Sequence, residues 1–135
     1  MIGYAAEELF SLEEKRLLGL AQAMVLQAPY EIDGECVRCH ELARAVALLL
    51  EIPRQVSDGW YGQVDHTWIW TTPREAFSPL PNVLDVYTPG RHPQVILIHT
   101  STHLPFEYRR GARRRDIRKK VISDLVTLMR HAVVP

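Results

Sequence analysis

Residues 34–53 read GECVRCHELARAVALLLEIP, and the way this stretch folds decides how the rest of the chain is read. It holds Cys36 and Cys39, the chain's two cysteines, with His40 directly behind them. The letters CVRCH alone fit a covalent haem site, a redox dithiol, half of a zinc site, a nucleophile at a helix start, or two buried thiols. The letters that follow are less ambiguous. Leu42, Ala45, Val46, Leu49 and Leu50 recur at helical spacing among alanines and leucines, and nothing breaks the run before Pro53. A helix from about Cys36 to Glu51 is expected, with Cys36 in its first turn.

The flanking composition bounds what this helix can belong to. The chain has 135 residues, 47% of them hydrophobic, enough for one domain with a single core. Its sixteen basic and sixteen acidic residues cancel, but unevenly. Residues 1–51 hold nine acids and four bases, while residues 109–120 hold eight bases, giving an acidic front and a basic C-terminal segment. The longest apolar run, AVALLL (45–50), is too short to span a bilayer. The acidic opening residues lack the positive stretch and apolar core of a secretory signal, and two cysteines three apart do not make a secreted disulfide framework. A cytoplasmic location with no membrane partner is therefore expected, which argues against haem attachment.

Before residue 34, SLEEKRLLGLAQAMVLQ (11–27) reads as a helix. Ser11 and Glu14 form a capping-box pattern, and Leu17, Leu18, Ala21, Met24 and Val25 make the apolar stripe. PYEIDGE (29–35) reads as a loop. After Pro53 come four short β-branched and aromatic segments, RQVSDGWYG (54–62), DHTWIWTT (65–72), NVLDVYTP (82–89) and QVILIHTS (94–101). Strand alternation puts His66, Trp68 and Trp70 on one face and Thr67, Ile69 and Thr71 on the other. A C-terminal helix is expected over about 112–132, with Ile117, Val121, Ile122, Leu125 and Leu128 as its apolar stripe. The sum is a single α+β domain, 1–135: N-terminal helices packed on a small antiparallel sheet, then a helix.

A cysteine nucleophile needs a helix N-terminus or a nearby cation to populate its thiolate, a histidine within reach, and a group that orients the histidine. Cys36 in the first turn meets the first need better than Cys39, one turn further in. His66 on one strand and Asp85 on the next share the second and third, provided the strands are neighbours. Aspartate inside a β-branched run is costly to bury unpaired, so Asp85 wants a partner.

The order Cys–helix–strand–His–strand–Asp resembles the transglutaminase-like branch of the papain-like cysteine enzymes. The matching residues are GEC (34–36), VRCHELARAVALLL (37–50), EIP (51–53), QVSDGW (55–60), HTW (66–68) and LDVY (84–87), so the resemblance covers roughly 34–88. It implies a papain-like core with Cys36 as nucleophile, His66 as general base and Asp85 as orienting residue. It also implies acyl transfer on an amide bond of a peptide or protein, as a protease, deamidase or transglutaminase, through a thioester and with no cofactor or metal. Gly34 two residues before Cys36, and the length from Cys36 to Pro53, favour Cys36 over Cys39. Glu51 departs from the family, which often has glycine before the Ile-Pro turn. Gln27 or Gln22 could supply a second oxyanion donor.

Other residues carry plainer readings. Cys39 is expected as a buried structural thiol, or as a reversible disulfide partner of Cys36, and His40 as a helix-surface residue. Trp60 and Tyr61, in the Gly-flanked DGWYG, are expected to line a substrate cleft, with Trp68 as its wall. Two competing functions stay open: a zinc-binding domain using Cys36, Cys39, His40 and His66, and a non-catalytic binding module. The latter would use the basic segment Arg109–Lys120 on nucleic acid or an acidic partner, unless that segment is solvated or paired within the chain.

Overall fold

Ser11 opens the first helix as the sequence requires. Its hydroxyl accepts from Glu14 N at 3.0 Å and its own N–H donates to Glu14 Oε1 at 2.9 Å, closing the capping box. The computed structural model of the chain describes residues 9–76, 79–100 and 108–133. Helix α1 (Leu12–Val25) buries Leu17, Ala21, Met24 and Val25. Glu14 is also buried, because its Oε2 accepts from Thr71 Oγ1 at 2.7 Å and Asn82 Nδ2 at 2.8 Å and so pins α1 to the sheet.

The segment after α1 departs from expectation. Residues 29–35 are not a simple loop. Strands β1 (Glu31–Ile32) and β2 (Glu35–Cys36) form a hairpin whose two central residues, Asp33 and Gly34, have φ of 52° and 82°. Two consecutive positive φ values are what a two-residue type I′ turn demands, and Asp-Gly supplies them. Cys36 is therefore drawn into a ladder opposite Glu31, and Val37 N extends it to Tyr30 O at 2.9 Å. Helix α2 cannot start until the ladder ends. It runs Cys39–Leu49, with Arg38 as its N-cap, rather than from Cys36 to Glu51.

Helix α2 is buried on most of its circumference, with Leu42, Ala43, Ala45, Val46 and Ala47 all 0% exposed. It ends in a Schellman motif: Ile52 N donates to Ala47 O at 2.9 Å and Glu51 N to Leu48 O at 3.1 Å. The left-handed residue of that motif is Glu51, at φ 64°. The turn forms without glycine, at a backbone cost of about 1 kcal/mol. Pro53 then enters a short 3-10 turn, Pro53–Gln55.

All four expected strands are present: β3 (Val56–Tyr61), β4 (Val64–Trp70), β5 (Val83–Tyr87) and β6 (Gln94–Ile98). A fifth, β7 (Tyr108–Arg110), which takes in the first two arginines of the basic segment, adds to the edge of β3. The sheet is antiparallel in the order β6-β5-β4-β3-β7. One face carries Ile69, Leu84, Val86 and Val95 into the main core with the helices. The other carries a smaller cluster of Trp68, Trp70, Val83, Ile98 and Tyr108. This two-faced alternation is the one read from the sequence.

The last helix, α3 (Lys119–Met129), is shorter than the expected 112–132 and buries Val121, Leu125 and Met129. Leu128, expected on its apolar stripe, is 45% exposed. Residues 111–118 stay outside the helix because their polar groups bind elsewhere. Gly111 N donates to Asp58 O at 2.8 Å, Arg114 N to Asp58 Oδ2 at 3.3 Å, and Asp116 O accepts from Arg38 at 2.9 Å. Several side chains of the basic run pair inside the chain: Arg118 with Glu35 and Glu41, Arg114 with Asp65 and Asp116, and Lys120 with Asp33 and Asp124. Among the described residues no helix is long and apolar enough to cross a membrane.

Candidate active site

The start of α2 and the start of β4 meet where the sheet opens. β4 and β5 pair only at Ile69↔Leu84 and Trp70↔Val83, so the part of β4 that carries His66 has no β5 residue in register opposite it. Asp85 pairs with Ile96 of β6 instead. Into this gap comes the first residue of α2, Cys39, whose Sγ lies 3.8 Å from His66 Nδ1. On the far side of the ring, His66 Nε2 lies 2.6 Å from Asp85 Oδ1. A carboxylate only accepts, so Nε2 carries a proton and Nδ1 faces the sulfur. The second carboxylate oxygen, Asp85 Oδ2, accepts a short hydrogen bond from the Tyr108 hydroxyl. Cys39, His66, Asp85 and Tyr108 thus form one continuous line across α2, β4, β5 and β7.

His66 is 9% exposed, its ring stacked over Trp68 at 6.3 Å and met edge-on by Tyr61 at 6.2 Å. Burial alone pushes an imidazole toward neutrality. Here the hydrogen bonds to Asp85 and Cys39 and the Asp85 charge outweigh burial and hold the pKa up at about 9. The ring is a cation at neutral pH, facing a sulfur. Arg38, the N-cap of α2, turns its guanidinium to the Glu41 carboxylate and gives no side-chain cap to the first-turn N–H groups.

The sequence-expected residues divide. His66 and Asp85 are brought together as expected. Cys36 is not brought to them: it sits exposed on β2, beside Tyr30, whose phenol pKa it pushes up. The hairpin moves the helix start by three residues, so Cys39 rather than Cys36 stands in the first turn of α2. Tyr61 lies beside His66 and Tyr108, at 5.0 Å from the latter, and Trp68 is the fully buried floor under the imidazole. Trp60 points elsewhere, against Gly111, where a β-carbon would come within 2.5 Å of its ring. Gln22 and Gln27 are both exposed, on α1 and just past its end.

His40 is not on the helix surface. It is 7% exposed, and its Nδ1 lies 2.6 Å from Thr67 Oγ1. Thr67 gives its own proton to Asp58 Oδ1 at 2.7 Å, so His40 Nδ1–H is the donor. Asp58 also accepts from Arg44 at 2.5 Å. Burial, helped by the charges of Arg114 and Arg38, pushes the His40 pKa down to about 4, which leaves it neutral. His40 follows Cys39 and Thr67 follows His66, so this buried chain staples the two halves of the site together. Tyr108 and Thr67 were missed by sequence reading. Tyr108 directly precedes the basic segment, and its sequence place carries no sign of Asp85, 23 residues away.

Among the described residues, no group of three or more His, Cys, Asp and Glu side chains is placed to hold a metal ion. His40 is committed to Thr67 and Cys36 stands exposed on the hairpin, so of the four residues weighed as zinc ligands only Cys39 and His66 meet. Searches against family models, curated proteins and solved structures find nothing that matches this chain.

Proposed function

We propose that this chain is a cysteine-dependent acyl-transfer enzyme acting on an amide bond of a peptide or protein, with Cys39 as the nucleophile, His66 as the proton carrier and Asp85 as the group that orients His66. The observation that carries the reading is the unbroken contact line from Cys39 Sγ through His66 to Asp85, at 3.8 and 2.6 Å. Its order of elements, helix with cysteine, strand with histidine, strand with aspartate, resembles the transglutaminase-like, papain-like core. The nucleophile is the second cysteine, one turn later than the family's G-x-C pattern suggests.

The chemistry follows from the geometry. The Cys39 thiolate attacks the substrate carbonyl carbon, and the carbonyl π electrons move onto oxygen. That oxyanion is met by the Cys39 N–H at the start of α2 and by the positive end of the helix. His66 Nδ1–H gives its proton to the departing amine, the C–N bond breaks and a thioester forms. Water or a second amine, losing its proton to His66, then attacks the thioester and releases Cys39 as thiolate. Asp85 keeps Nε2–H pinned, so Nδ1 always addresses the sulfur, and Tyr108 keeps Asp85 in place. Both cysteines are free, which suits the reducing cytoplasm.

Iodoacetamide labelling read out by peptide mapping tests the assignment. At pH 6, Cys39 should label rapidly and slow by at least about tenfold in His66→Asn, whereas Cys36 should label at the same rate in both proteins. Equal, slow labelling of Cys39 with and without His66 would overturn the proposal.

A further inference from the structure

A second concave region lies between the start of β3, the chain leaving β7 and the flank of α2. It encloses about 500 Å³, and four arginines line it, Arg44, Arg54, Arg110 and Arg113. An adjoining cleft of about 660 Å³ shares Arg54 and Arg110, the β3 residues Val56 and Ser57, and Pro53; it adds Arg74, whose guanidinium lies over the Trp70 ring. Together the two make one elongated groove. Five arginines face it against two carboxylates, Asp58 and Glu51. Asp58 is already committed to Arg44 and Thr67. The side chains of Arg54, Arg110 and Arg113 have no hydrogen-bond or ion-pair partner among the described residues. Like charges gathered in a concavity that outnumber the carboxylates facing it are a standing attraction for an anion.

The groove also offers main-chain groups. β3 pairs with β7 over Gly59–Tyr61, and Gly111 N closes on Asp58 O. Before that point, Val56 and Ser57 run along the groove with no strand on the β7 side among the described residues. An extended peptide can add to such an edge while its side chains meet the arginines.

We propose that this groove is a binding site for an extended peptide segment carrying several acidic groups, carboxylate or phosphoryl. Nucleic acid fits it less well. No aromatic ring lines the first cleft, and Trp70 in the second is 3% exposed beneath Arg74, so bases find no stacking platform. The chain as a whole carries no net charge, unlike a protein built to hold a polyanion along its length. The inference stands whether or not Cys39 is a nucleophile.

Fluorescence polarisation tests it with four labelled probes: a dodecapeptide alternating Glu and Ser, its Ser-phosphorylated form, its Gln-for-Glu form, and a thymidine dodecanucleotide. The two acidic peptides should bind, the tighter of them identifying the anion preferred, and the Gln form should bind at least about tenfold more weakly. Arg54→Glu with Arg113→Glu should weaken acidic-peptide binding by at least about tenfold, and the milder Arg54→Ala with Arg113→Ala by about fivefold, while Arg115→Glu outside the groove leaves it within about twofold. No binding of either acidic peptide at about 1 mM, no response to the double substitutions, or tighter binding of the oligonucleotide would each overturn the site.

Discussion

At His66 two effects oppose each other, and their sizes decide the chemistry. Burial favours the neutral ring, but Asp85 and Cys39 hold the proton more strongly, which makes the residue a cation poised against a sulfur. Asp85 can do this only while its own second oxygen is satisfied, and Tyr108 satisfies it. Tyr108→Phe removes that donor with almost no change in volume. It should lower the unfolding free energy by about 1–3 kcal/mol in urea titrations, the range for a buried hydrogen bond to a charged group. A loss below a few tenths would mean that Asp85 does not depend on it. The same buried pairing explains why an aspartate is tolerated in the middle of β5: both carboxylate oxygens are bonded.

At the scale of elements, two devices fix helix α2. Its C-terminal turn places Glu51 at φ 64°, where glycine pays no steric cost. Glu51→Gly should therefore stabilise the protein by about 0.5–1 kcal/mol and raise the melting temperature by a few degrees, readable by calorimetry. At the other end, Glu41 in the first turn is fully buried and accepts from Arg38 at 2.5 Å and from Arg118 at 2.7 Å. Burial raises its pKa, but the two guanidinium groups outweigh that and hold it below the usual carboxylate range. The bridge ties the start of α2, next to Cys39, to the start of α3. Glu41→Ala would remove the buried carboxylate and leave Arg38 only Asp116 and Arg118 only Glu35 as ion-pair partners. It should cost about 1–3 kcal/mol, measured by thermal unfolding, and should slow Cys39 labelling as the helix start loosens.

For the whole molecule, the two buried histidines set opposite limits on stability with pH. The folded state keeps a proton on His66 up to about 9, whereas the unfolded chain loses it near 6.5. The contribution is complete below about 6.5 and drains away as pH rises through 9. His40 is the reverse. The folded state refuses its proton down to about 4 while the unfolded chain takes it near 6.5, so stability is complete above 6.5 and falls as pH drops toward 4. Unfolding free energy measured against pH should peak near 6.5, with each limb falling by on the order of 2 kcal/mol. His66→Gln should flatten only the alkaline limb and His40→Gln only the acid one. A profile flat from 4 to 9 would contradict both environments.

Local pattern determined a good deal of this. The capping box at Ser11, the apolar stripe of α2, the four central strands and the shared face of His66, Trp68 and Trp70 all follow from spacing along the chain, because helix and strand periods are properties of neighbouring residues. Asp33-Gly34 is a local hairpin signal that the loop reading of residues 29–35 passes over. The remainder depended on contacts between distant segments. β7 is three residues long and mostly charged, and only its place beside β3 makes it a strand. Residues 111–118 had helical-looking charge and apolar spacing, yet Asp58 and Arg38 claim their backbone groups. Sequence named the imidazole and the carboxylate, since each needed a partner that only the other could offer. Which sulfur joins them, and that Tyr108 completes the line, was settled by tertiary structure, because a contact of a few ångströms between residues 27 and 23 positions apart exists only once the helix and sheet have packed.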